Sequence, residues 1–291
     1  MFALDVQGWP DDRLYPRQPL TEPVMASRSA RLRLWPVDPQ NGLRVRPEDA
    51  PPVLDTAQFS LVNSGNRTLM APKRSWKVDL DPGEVAGMST LNLKSMYNDP
   101  SQMRESLAWR LFRLAGVPAS GHTYARFGIN DRFLGLFSLI EQVDKAFLAQ
   151  RFDGHPRGNL FKVYCGDLGP GTLQRRIGPD GDDGGRQYRS NGSDNPTYRL
   201  KSYSSAADAE SYDDLARLCR VIDGAGLAGG DGRFGTDVFA ASVREVFDVE
   251  TFLRWAGVNV LVGAWDNYFA TPANYYLYNA GRAGDFVVQD V

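Results

Sequence analysis

Residues 99–118 have the sequence DPSQMRESLAWRLFRLAGVP, which predicts the clearest helix in the chain. Asp99 can cap this helix, Pro100 suits its first position, and Gln102 stands where a capping-box partner belongs. Gly116, followed by a valine and a proline, predicts where the helix ends. Because capping and stop residues mark both ends of this helix, its bounds help to place the segments on either side.

Two neighbouring stripes of large side chains run along this predicted helix. We expect the apolar stripe at helical spacing to be buried; it consists of Met103, Leu107, Leu111 and Leu114. The adjacent stripe consists of Glu105, Trp109 and Phe112. Because Glu105 shares its stripe with two aromatic residues, we expect its carboxyl group to lie near the buried side of the helix.

Alternating segments on either side of the helix predict strands. Residues 57–62, AQFSLV, form one such segment and run into the small polar turn NSGNR at 63–67. Residues 75–80 alternate as well, with Trp76, Val78 and Leu80 on one face and Ser75, Lys77 and Asp79 on the other. Residues 122–142 predict a hairpin whose two strands are joined through Asn130 and Asp131.

The second half of the chain is expected to be mainly helical. Residues 208–222 predict an amphipathic helix, and Asp248 can cap a longer helix that is apolar nearly all round and should therefore be buried. Two strands are predicted at 274–279 and 285–291. Residues 165–196 are expected to form a long surface excursion. Its GPDGDDGG stretch resembles a calcium loop only superficially, because the regular ligand spacing and the closing glutamate are missing.

This order of elements predicts an α+β fold with three parts. Residues 1–55 are proline-rich and weakly patterned, so we expect an irregular N-terminal extension, although ARLRLWPV at 30–37 alternates like a strand that Pro36 ends. Residues 56–142 should form a strand-rich lobe with one prominent helix, and residues 143–291 a mainly helical lobe. The length of 291 residues suits one large domain or two lobes that share a cleft.

Composition argues against several classes of function. The chain has 33 Lys+Arg against 35 Asp+Glu, unlike a strongly electrostatic nucleic-acid binder or a polybasic membrane binder. Cys165 and Cys219 lack the spacing of a zinc site, and both two free thiols and one disulfide remain open. The start of the chain is acidic and broken by prolines, unlike a secretory signal, and no apolar run has the length of a membrane helix. We therefore expect a cytoplasmic protein unless a leader precedes this sequence.

Several residues fit the requirements of phosphoryl transfer, which are phosphate neutralisation, bound Mg²⁺ and a carboxylate near the attacking hydroxyl. Lys77, on the polar face of its strand, can project toward phosphate oxygens, and Glu105 on the following helix can pair with it. The turn at 63–67 can wrap backbone N–H groups around phosphates. Its candidate residues for nucleotide binding are Asn63, Ser64, Gly65 and Arg67. Lys162 is a second candidate for contact with phosphate.

Three further residues can supply the catalytic carboxylate and a metal site. Asp266 follows the long apolar helix, Asn274 opens the next strand, and Asp290 ends the strand after that. Oxygen ligands of this kind at the edges of a short hairpin suit Mg²⁺. The order of the candidates along the chain, Lys, Glu, Asp, Asn, Asp, is the order in protein kinases. A metal-dependent hydrolase that uses Asp266 and Asp290 is an alternative hypothesis.

Each candidate also has a purely structural interpretation. Lys77 can be a solvated lysine on the polar face of a strand, and Glu105 can be a favourable acid in the first turn of a helix. Asp266 can cap a turn, and Asn274 can satisfy the end of a strand. The functional hypothesis therefore depends on the joint order of these residues rather than on any one of them.

In its motifs, the chain resembles the spore-coat protein H (CotH) kinase family. The resemblance lies in PKRSWKVDL, NLKSMYNDPSQMRESLAWRLFRLAGVPA, GLFSLIEQVDKAFL, GNLFKV and GAWDNYFATPANYYLYN, which together cover most of residues 60–291. It implies an atypical protein-kinase-like, two-lobed fold with ATP and Mg²⁺ or Mn²⁺ as cofactors. It also implies phosphorylation of Ser/Thr in a protein acceptor, such as the serine-rich proteins of the spore coat.

The resemblance assigns roles to the candidate residues. By it, Asp266 is the catalytic carboxylate, and Asn274 and Asp290 are metal ligands. Lys77 and Glu105 correspond to the lysine–glutamate pair that contacts and orients phosphate in kinases.

The resemblance further implies that residues 139–143 are the hinge near the adenine, with Glu141 as a candidate nucleotide contact. The chain departs from the kinase pattern because the HRDxxxxN and DFG motifs are absent. It also ends just after Asp290, where the family usually has a further Asp, so we expect a truncated C-terminal lobe. A non-catalytic surface or coat-assembly protein on the same fold is the alternative function. The dominance of arginine over lysine suggests a GC-rich bacterial source.

Overall fold

The computed structural model describes most of the chain. The described residues are 1–9, 19, 21–26, 29–37, 51–65, 67–152, 158–190, 192–202, 211–224, 237–280 and 286–290, without the side chains of Arg67, Ser202 and 286–290. They form a mixed α and β structure that divides into two compact units. The first unit is Met1–Arg110 with Ser120–Phe147, and the second is Leu111–Ala119 with Leu148–Val291. The α+β class predicted from the sequence is therefore confirmed.

The first unit is built on a nine-stranded sheet. Its strands are β1 (Phe2–Gln7), β2 (Val24–Met25), β3 (Arg31–Pro36), β4 (Leu54–Thr56), β5 (Phe59–Ser64), β6 (Ser75–Leu80), β7 (Thr90–Lys94), β8 (His122–Ile129) and β9 (Arg132–Glu141). They are arranged in the order β2-β5-β6-β7-β9-β8-β1-β3-β4. One face of this sheet carries the apolar core, which includes Trp76, Val78 and Leu80 as predicted. The other face is more polar and includes Lys77 and Lys94.

The strand predicted at 30–37 is confirmed as β3, and the described N-terminal residues contain further strands that were not predicted. Between residues 1 and 55, strands β1, β2 and β3 and the start of β4 belong to the sheet, and β1 runs parallel to β8. The Asn130 side chain fixes this region, because it accepts from the Trp9 amide (3.0 Å) and donates to the Trp9 carbonyl (2.5 Å). The sequence analysis missed β1, whose partner β8 lies over a hundred residues further along the chain.

The hairpin predicted at 122–142 is confirmed as β8 and β9. Asn130 and Asp131, at its turn, have φ angles of +47° and +60°. Two consecutive positive φ values define the type I′ turn, whose twist matches that of the flanking strands. Asparagine and aspartate tolerate this conformation better than most residues, so the turn was readable from the sequence.

Helix α1 (Arg104–Leu114) ends where the sequence predicts but begins later. The Val117 amide donates to the Phe112 carbonyl (3.0 Å) and Gly116 has a φ of +74°, as in a Schellman motif. At the other end, Gln102 has a φ of +54° and lies outside the helix, so the capping-box prediction is wrong. Asp99 still caps the helix by accepting from the Arg104 amide (2.9 Å).

The buried face of α1 is not the stripe that we predicted. Met103, Leu107 and Leu114 are 52%, 49% and 73% exposed, whereas Trp109 and Phe112 are 5% and 3% exposed. The helix therefore turns its aromatic stripe inward. Aromatic side chains bury more area per residue than leucine or methionine, so their position outweighs the longer aliphatic stripe.

The second unit combines helices with a smaller sheet. It contains most of α2 (Lys145–Arg151), together with α3 (Asp213–Ile222), α4 (Asp237–Val246) and α5 (Val249–Val262). Its strands β10 (Leu160–Val163), β11 (Tyr198–Ser202), β12 (Tyr275–Asn279) and β13 (Phe286–Asp290) form an antiparallel sheet in the order β11-β10-β12-β13. This sheet, rather than the helices alone, supports the loop that carries Asp266.

Helix α5 is buried on one side only, so the prediction of burial all round is wrong. Trp255 and Asn259 are fully buried, but Leu253, Val260 and Leu261 are 62%, 78% and 72% exposed in the described structure. Apolar composition gives a tendency toward burial, but a helix buries only the faces that other elements cover.

The segment 165–196 contributes buried side chains to the second unit and is therefore not only a surface excursion. Leu173 and Tyr188 are buried, and the Tyr188 ring meets the Tyr198 ring edge-on with centroids 5.9 Å apart. The aspartates of its GPDGDDGG stretch bind arginines: Asp180 and Asp182 bind Arg186. Within the described residues, no group of three or more acidic, histidine or cysteine side chains could hold a metal ion. The structure thus gives this acidic stretch an ion-pairing role.

The structure also bears on the predictions about the two cysteines and about a membrane helix. Cys165 is exposed, Cys219 is buried, and both are free thiols, so the disulfide alternative is excluded. Among the described residues, no helix combines the length and apolar character that crossing a membrane requires.

Candidate functional site

Lys77 and Glu105, which we predicted to pair, have different partners. Lys77, in β6, forms an ion pair with Asp79 two positions along the same strand, at 2.9 Å. Glu105 lies in the first turn of α1, and the lysine whose charge acts on it is Lys94. Lys77 is therefore paired with Asp79 and not with Glu105 as predicted, and Lys94 is the lysine whose charge lowers the pKa of the Glu105 carboxyl. The reason is topological: β7, which ends at Lys94, lies between β6 and β9 in the sheet.

The alternation along β7 directs Lys94 away from the core. Leu91 and Leu93 are buried in the core, so Lys94 lies on the opposite face, in register with Ser138 of β9. Burial raises the pKa of the Glu105 carboxyl, and the positive charge of Lys94 is the largest effect that opposes this rise. Sequence reasoning missed Lys94 because it missed strand β7. The alternation of apolar and polar residues in TLNLK, directly before the helix, could have predicted this strand.

A polar cluster supports Glu105 at the sheet. Ser138 is fully buried and hydrogen bonds to Glu105, which lowers the pKa of the carboxyl. His122 Nε2 lies 3.0 Å from Ser138 Oγ, and the Tyr124 hydroxyl donates to the Gln102 carbonyl (2.7 Å) just before α1. These contacts tie the start of the helix to β8 and β9.

The predicted phosphate-binding turn connects β5 to β6. Asn63 is buried and donates to the Ser75 carbonyl at 3.3 Å, so its amide braces the turn from within. The Ser64 hydroxyl oxygen is buried and has no hydrogen-bond partner among the described residues. Gly65 has a φ of +122°, and a Cβ there would collide with Thr68 Oγ1.

The turn therefore has features that a ligand-binding loop needs. A buried hydroxyl without a protein partner is costly unless a ligand or water satisfies it, and only glycine fits the backbone next to it. Arg67 begins a short 3-10 helix, Arg67–Met70, and its side chain lies outside the described structure.

Glu141 and Lys162 make contacts within their own units. Glu141 Oε2 accepts from the Gly121 amide at 2.8 Å, which ties the end of β9 to the start of β8. Lys162, in β10, lies over the rings of Tyr164 and Tyr276, with its Nζ 5.2 Å and 5.4 Å from their centroids. Their predicted contacts with nucleotide remain predictions.

Asp266 lies in the loop between α5 and β12. Gly263 ends the helix in the left-handed conformation, with a φ of +66°. Asp266 is exposed, and its Oδ1 accepts from the Thr271 hydroxyl at 2.7 Å. The Asn274 side-chain amide donates to the Asp266 carbonyl at 3.3 Å. The structure thus brings two of the predicted site residues, Asp266 and Asn274, together across this loop.

A buried pair of asparagines, which the sequence analysis missed, anchors the same loop. Asn267 is 2% exposed, and its amide donates to Asn259 Oδ1 (2.7 Å) in α5 and to the Ala264 carbonyl (3.1 Å). Its own oxygen accepts from the Phe269 amide at 3.0 Å. Asn259 could have predicted this pair from the sequence, because an amide within the apolar stretch at 255–262 needs a hydrogen-bond partner when it is buried.

The register of the β12–β13 hairpin places Asp290 beside Asn274. Tyr275, the residue after Asn274, is directly opposite Asp290 in the antiparallel pair. Asn274 has a φ of +57°, and its amide nitrogen is engaged with Asp266, which leaves its amide oxygen for a ligand. The side chain of Asp290 lies outside the described structure. Amide and carboxylate oxygens are the donor types that Mg²⁺ and Mn²⁺ accept.

Comparison with known proteins assigns the chain to a family. The family model described as CotH kinase protein matches residues 62–290. This is well over half of the chain, so the protein belongs to the CotH family.

Curated relatives come from the fungus Rhizopus delemar. The chain is 25% identical to Invasin CotH3 over 205 residues, which is 69% of this chain and 30% of the relative. It is 23% identical to Invasin CotH7 over 224 residues, or 76% of this chain and 33% of the relative. It is 24% identical to Spore coat protein homolog 1 over 210 residues, or 69% and 29%. The matched region therefore spans about a third of the relatives' length. The bacterial source suggested by composition stays a prediction.

Proposed function

We propose that this protein is an ATP- and divalent-metal-dependent protein kinase that phosphorylates Ser/Thr of a protein acceptor on an atypical, two-lobed, kinase-like fold. The observation that carries the proposal is the loop in which the Asn274 amide holds the Asp266 backbone while Asp290 lies across from the next residue. Membership of the CotH family supports it independently.

In the proposed reaction, Asp266 accepts a hydrogen bond from the acceptor hydroxyl and orients it toward the phosphate, as the catalytic aspartate of kinases does. Its exposure lets a polypeptide substrate reach it, and the Thr271 hydroxyl holds one of its oxygens in place. The other carboxylate oxygen then remains to receive the proton of the attacking hydroxyl. Asn274 and Asp290 would hold the metal, which supplies positive charge against the phosphate oxygens when bound.

Lys94 is the proposed phosphate contact in the first unit, in place of Lys77. In kinases the lysine lies on the third strand of the sheet and pairs with a glutamate of the next helix. Counted from the strand before the proposed phosphate turn, β7 is the third strand, and α1 follows it directly. Glu105 therefore has the role of positioning Lys94. The turn of Ser64 and Gly65 would cover the phosphates.

The decisive experiment is transfer of labelled phosphate from ATP to a serine-rich protein by the native gene product, with Mg²⁺ or Mn²⁺ and with a chelator. Asp266→Ala is the principal variant, and Asp237→Ala, an exposed acid of α4 in the same unit, is the matched control. We expect metal-dependent transfer that Asp266→Ala abolishes and Asp237→Ala retains. Full transfer by a folded Asp266→Ala protein would remove the assignment, and phosphate release without a labelled acceptor would favour the metal-dependent hydrolase.

A second candidate is a non-catalytic surface or coat-assembly protein on the same fold. The observation that favours it is the naming of the relatives, which are described as invasins and as a spore coat protein homolog. The two functions differ in nucleotide binding, which calorimetry with ATP and Mg²⁺ measures directly. A folded native gene product that binds no nucleotide would move the conclusion to this second candidate.

A further inference from the structure

A pocket of about 420 Å³ in the second unit is lined by arginines. It lies within the segment 168–189, away from the loop of Asp266 in sequence, and none of the described residues that line it is acidic. We call it the arginine pocket; its polar lining residues are Gln174, Arg175, Arg176, Arg186, Gln187 and Arg189. Apolar lining comes from Leu168, Ile177 and Pro179. Four guanidinium groups around one pocket suggest an anionic ligand.

The acidic residues nearby hold the arginines in position from outside the pocket lining. Asp183 accepts from Arg175 at 2.7 Å and from Arg220 at 2.8 Å, which lowers the pKa of its carboxyl. Arg186 binds Asp182 through Nε at 2.5 Å and also binds Asp180, and Arg175 Nη1 lies 4.0 Å from Asp223 Oδ2. Each guanidinium has five N–H donors in a planar fork, so these bonds leave donors of Arg175 and Arg186 to face a ligand.

Arg176 donates to a neutral acceptor. Its Nη1 donates to the Leu168 carbonyl at 3.1 Å, which orients the guanidinium without cancelling its charge. Its backbone amide donates to the Tyr188 hydroxyl (3.0 Å), and that hydroxyl donates to the Gln174 carbonyl (3.2 Å). Because Tyr188 is buried, the backbone that carries Arg176 is held rigidly, and such preorganisation favours binding.

We propose that the arginine pocket binds a phosphoserine or phosphothreonine of a polypeptide. A phosphate monoester carries about −1.5 to −2 charge at pH 7 and three acceptor oxygens, which matches several guanidinium forks better than one carboxylate does. The volume exceeds that of a phosphate group, and the apolar side chains of Ile177 and Pro179 can contact the residues next to it. The site goes beyond the proposed kinase activity, because binding here requires no catalysis by Asp266.

If the protein is also a kinase, the pocket selects acceptors that already carry phosphate. A serine-rich polypeptide held by one phosphorylated residue would present its other serines at high effective concentration. Phosphorylation would then proceed along one acceptor molecule before a second is engaged.

The test is direct binding of a fluorescent serine-rich peptide, measured by anisotropy on the Asp266→Ala native gene product so that no transfer occurs. Three versions of the peptide carry serine, phosphoserine or glutamate at one position. We expect the phosphoserine peptide to bind at least about tenfold more tightly than either of the others. Inorganic phosphate should compete, and affinity should fall with salt.

Arg176→Gln tests the pocket itself, with Arg217→Gln, an exposed arginine of α3 outside the pocket, as the matched control. We expect Arg176→Gln to weaken binding of the phosphoserine peptide about tenfold and Arg217→Gln to leave it unchanged. Arg189→Gln, an exposed lining position, provides the same test should Arg176→Gln disturb folding. Equal binding of all three peptides, equal loss in the control, or binding only to anionic lipid vesicles would overturn the proposal. Phosphopeptide binding without kinase activity would support the proposal for the arginine pocket and would reject only the proposed kinase function.

Discussion

The charge of Lys94, at the end of β7, acts on the Glu105 carboxyl in the first turn of α1, and it lowers a pKa that burial raises. The pair connects a strand and a helix that are adjacent in sequence, and Ser138 joins it to β9. Because Lys77 binds Asp79 instead, the two lysines offer a clean comparison of one proposed functional lysine with one structural lysine.

The first prediction concerns these two lysines. Lys94→Met should lower kcat/KM for ATP-dependent transfer by about 100-fold. The reason is that the variant lacks the positive charge that would stabilise the negative charge developing on the phosphate oxygens. Lys77→Met should change kcat/KM by less than about threefold, because an ion pair at the surface contributes little. The measurement is steady-state kinetics of labelled phosphate transfer. The reverse ranking of the two variants would restore Lys77 as the phosphate lysine.

The second prediction concerns the pH dependence of stability. Because the pKa of Glu105 is raised in the folded protein, the folded state holds a proton that the unfolded state has released between the ordinary and the raised value. The free energy of unfolding should therefore fall as pH rises through that interval and level off above it. Glu105→Gln should remove this fall. Urea unfolding at a series of pH values above 4 measures it.

Ser138→Ala tests the same link between the pKa of Glu105 and stability by removing a hydrogen bond to the carboxyl group instead of the carboxyl group itself. The Ser138 hydrogen bond lowers the pKa of Glu105, so its removal should raise that pKa further and extend the fall in stability to higher pH. An unchanged pH profile in both variants would show that Glu105 is not the group responsible.

The third prediction concerns Gly65 in the proposed phosphate turn. Gly65→Ala should lower the free energy of unfolding by about 1–3 kcal/mol, because alanine is strained at a φ of +122° and its Cβ meets Thr68 Oγ1. Thr68→Ala in the same chain should recover part of this loss, because it removes the clash but not the strain. Denaturant melts of the four proteins in this double-mutant cycle provide the measurement. Full additivity of the two substitutions would contradict the proposed clash.

The sequence was most informative where the determining chemistry is local. The turn of Asn130 and Asp131 and the stop at Gly116 depend on residues within a few positions, and the structure confirms both. The buried apolar residues of β6, which are Trp76, Val78 and Leu80, were also predicted correctly from their alternation, although Ser75 on the other face is buried as well. Such features depend on backbone preference and on side-chain period, which a single sequence displays.

The errors arose where a feature depends on partners distant in sequence. The choice between Lys77 and Lys94 depends on which strand lies next to which in the sheet, and the alternation of one strand does not specify that. Whether Val260 of α5 is buried depends on which element covers it rather than on its own hydrophobicity. For the same reason, the sequence pointed to Asp266 and Asn274 individually, but not to the hydrogen bond that joins them.

The last prediction concerns the asparagines beneath the Asp266 loop. Asn267→Ala should lower the free energy of unfolding by about 1–3 kcal/mol, because it leaves the fully buried Asn259 Oδ1 without its donor. Asn259→Ala should cost a similar amount, and the double variant less than the sum, because both single changes remove the same bond.

Activity should separate this bracing role from a general loss of stability. Asn267 also accepts from the Phe269 amide within the loop, whereas Asn259 donates to the Trp255 carbonyl within the helix. Asn267→Ala should therefore displace Asp266 and reduce kcat more than Asn259→Ala does, at a temperature where both variants are fully folded. KM for ATP should change little in either variant, because neither substitution removes a proposed contact with the nucleotide or the metal. Equal losses of kcat would mean that the hydrogen bonds inside the loop do not position Asp266, the proposed catalytic carboxylate.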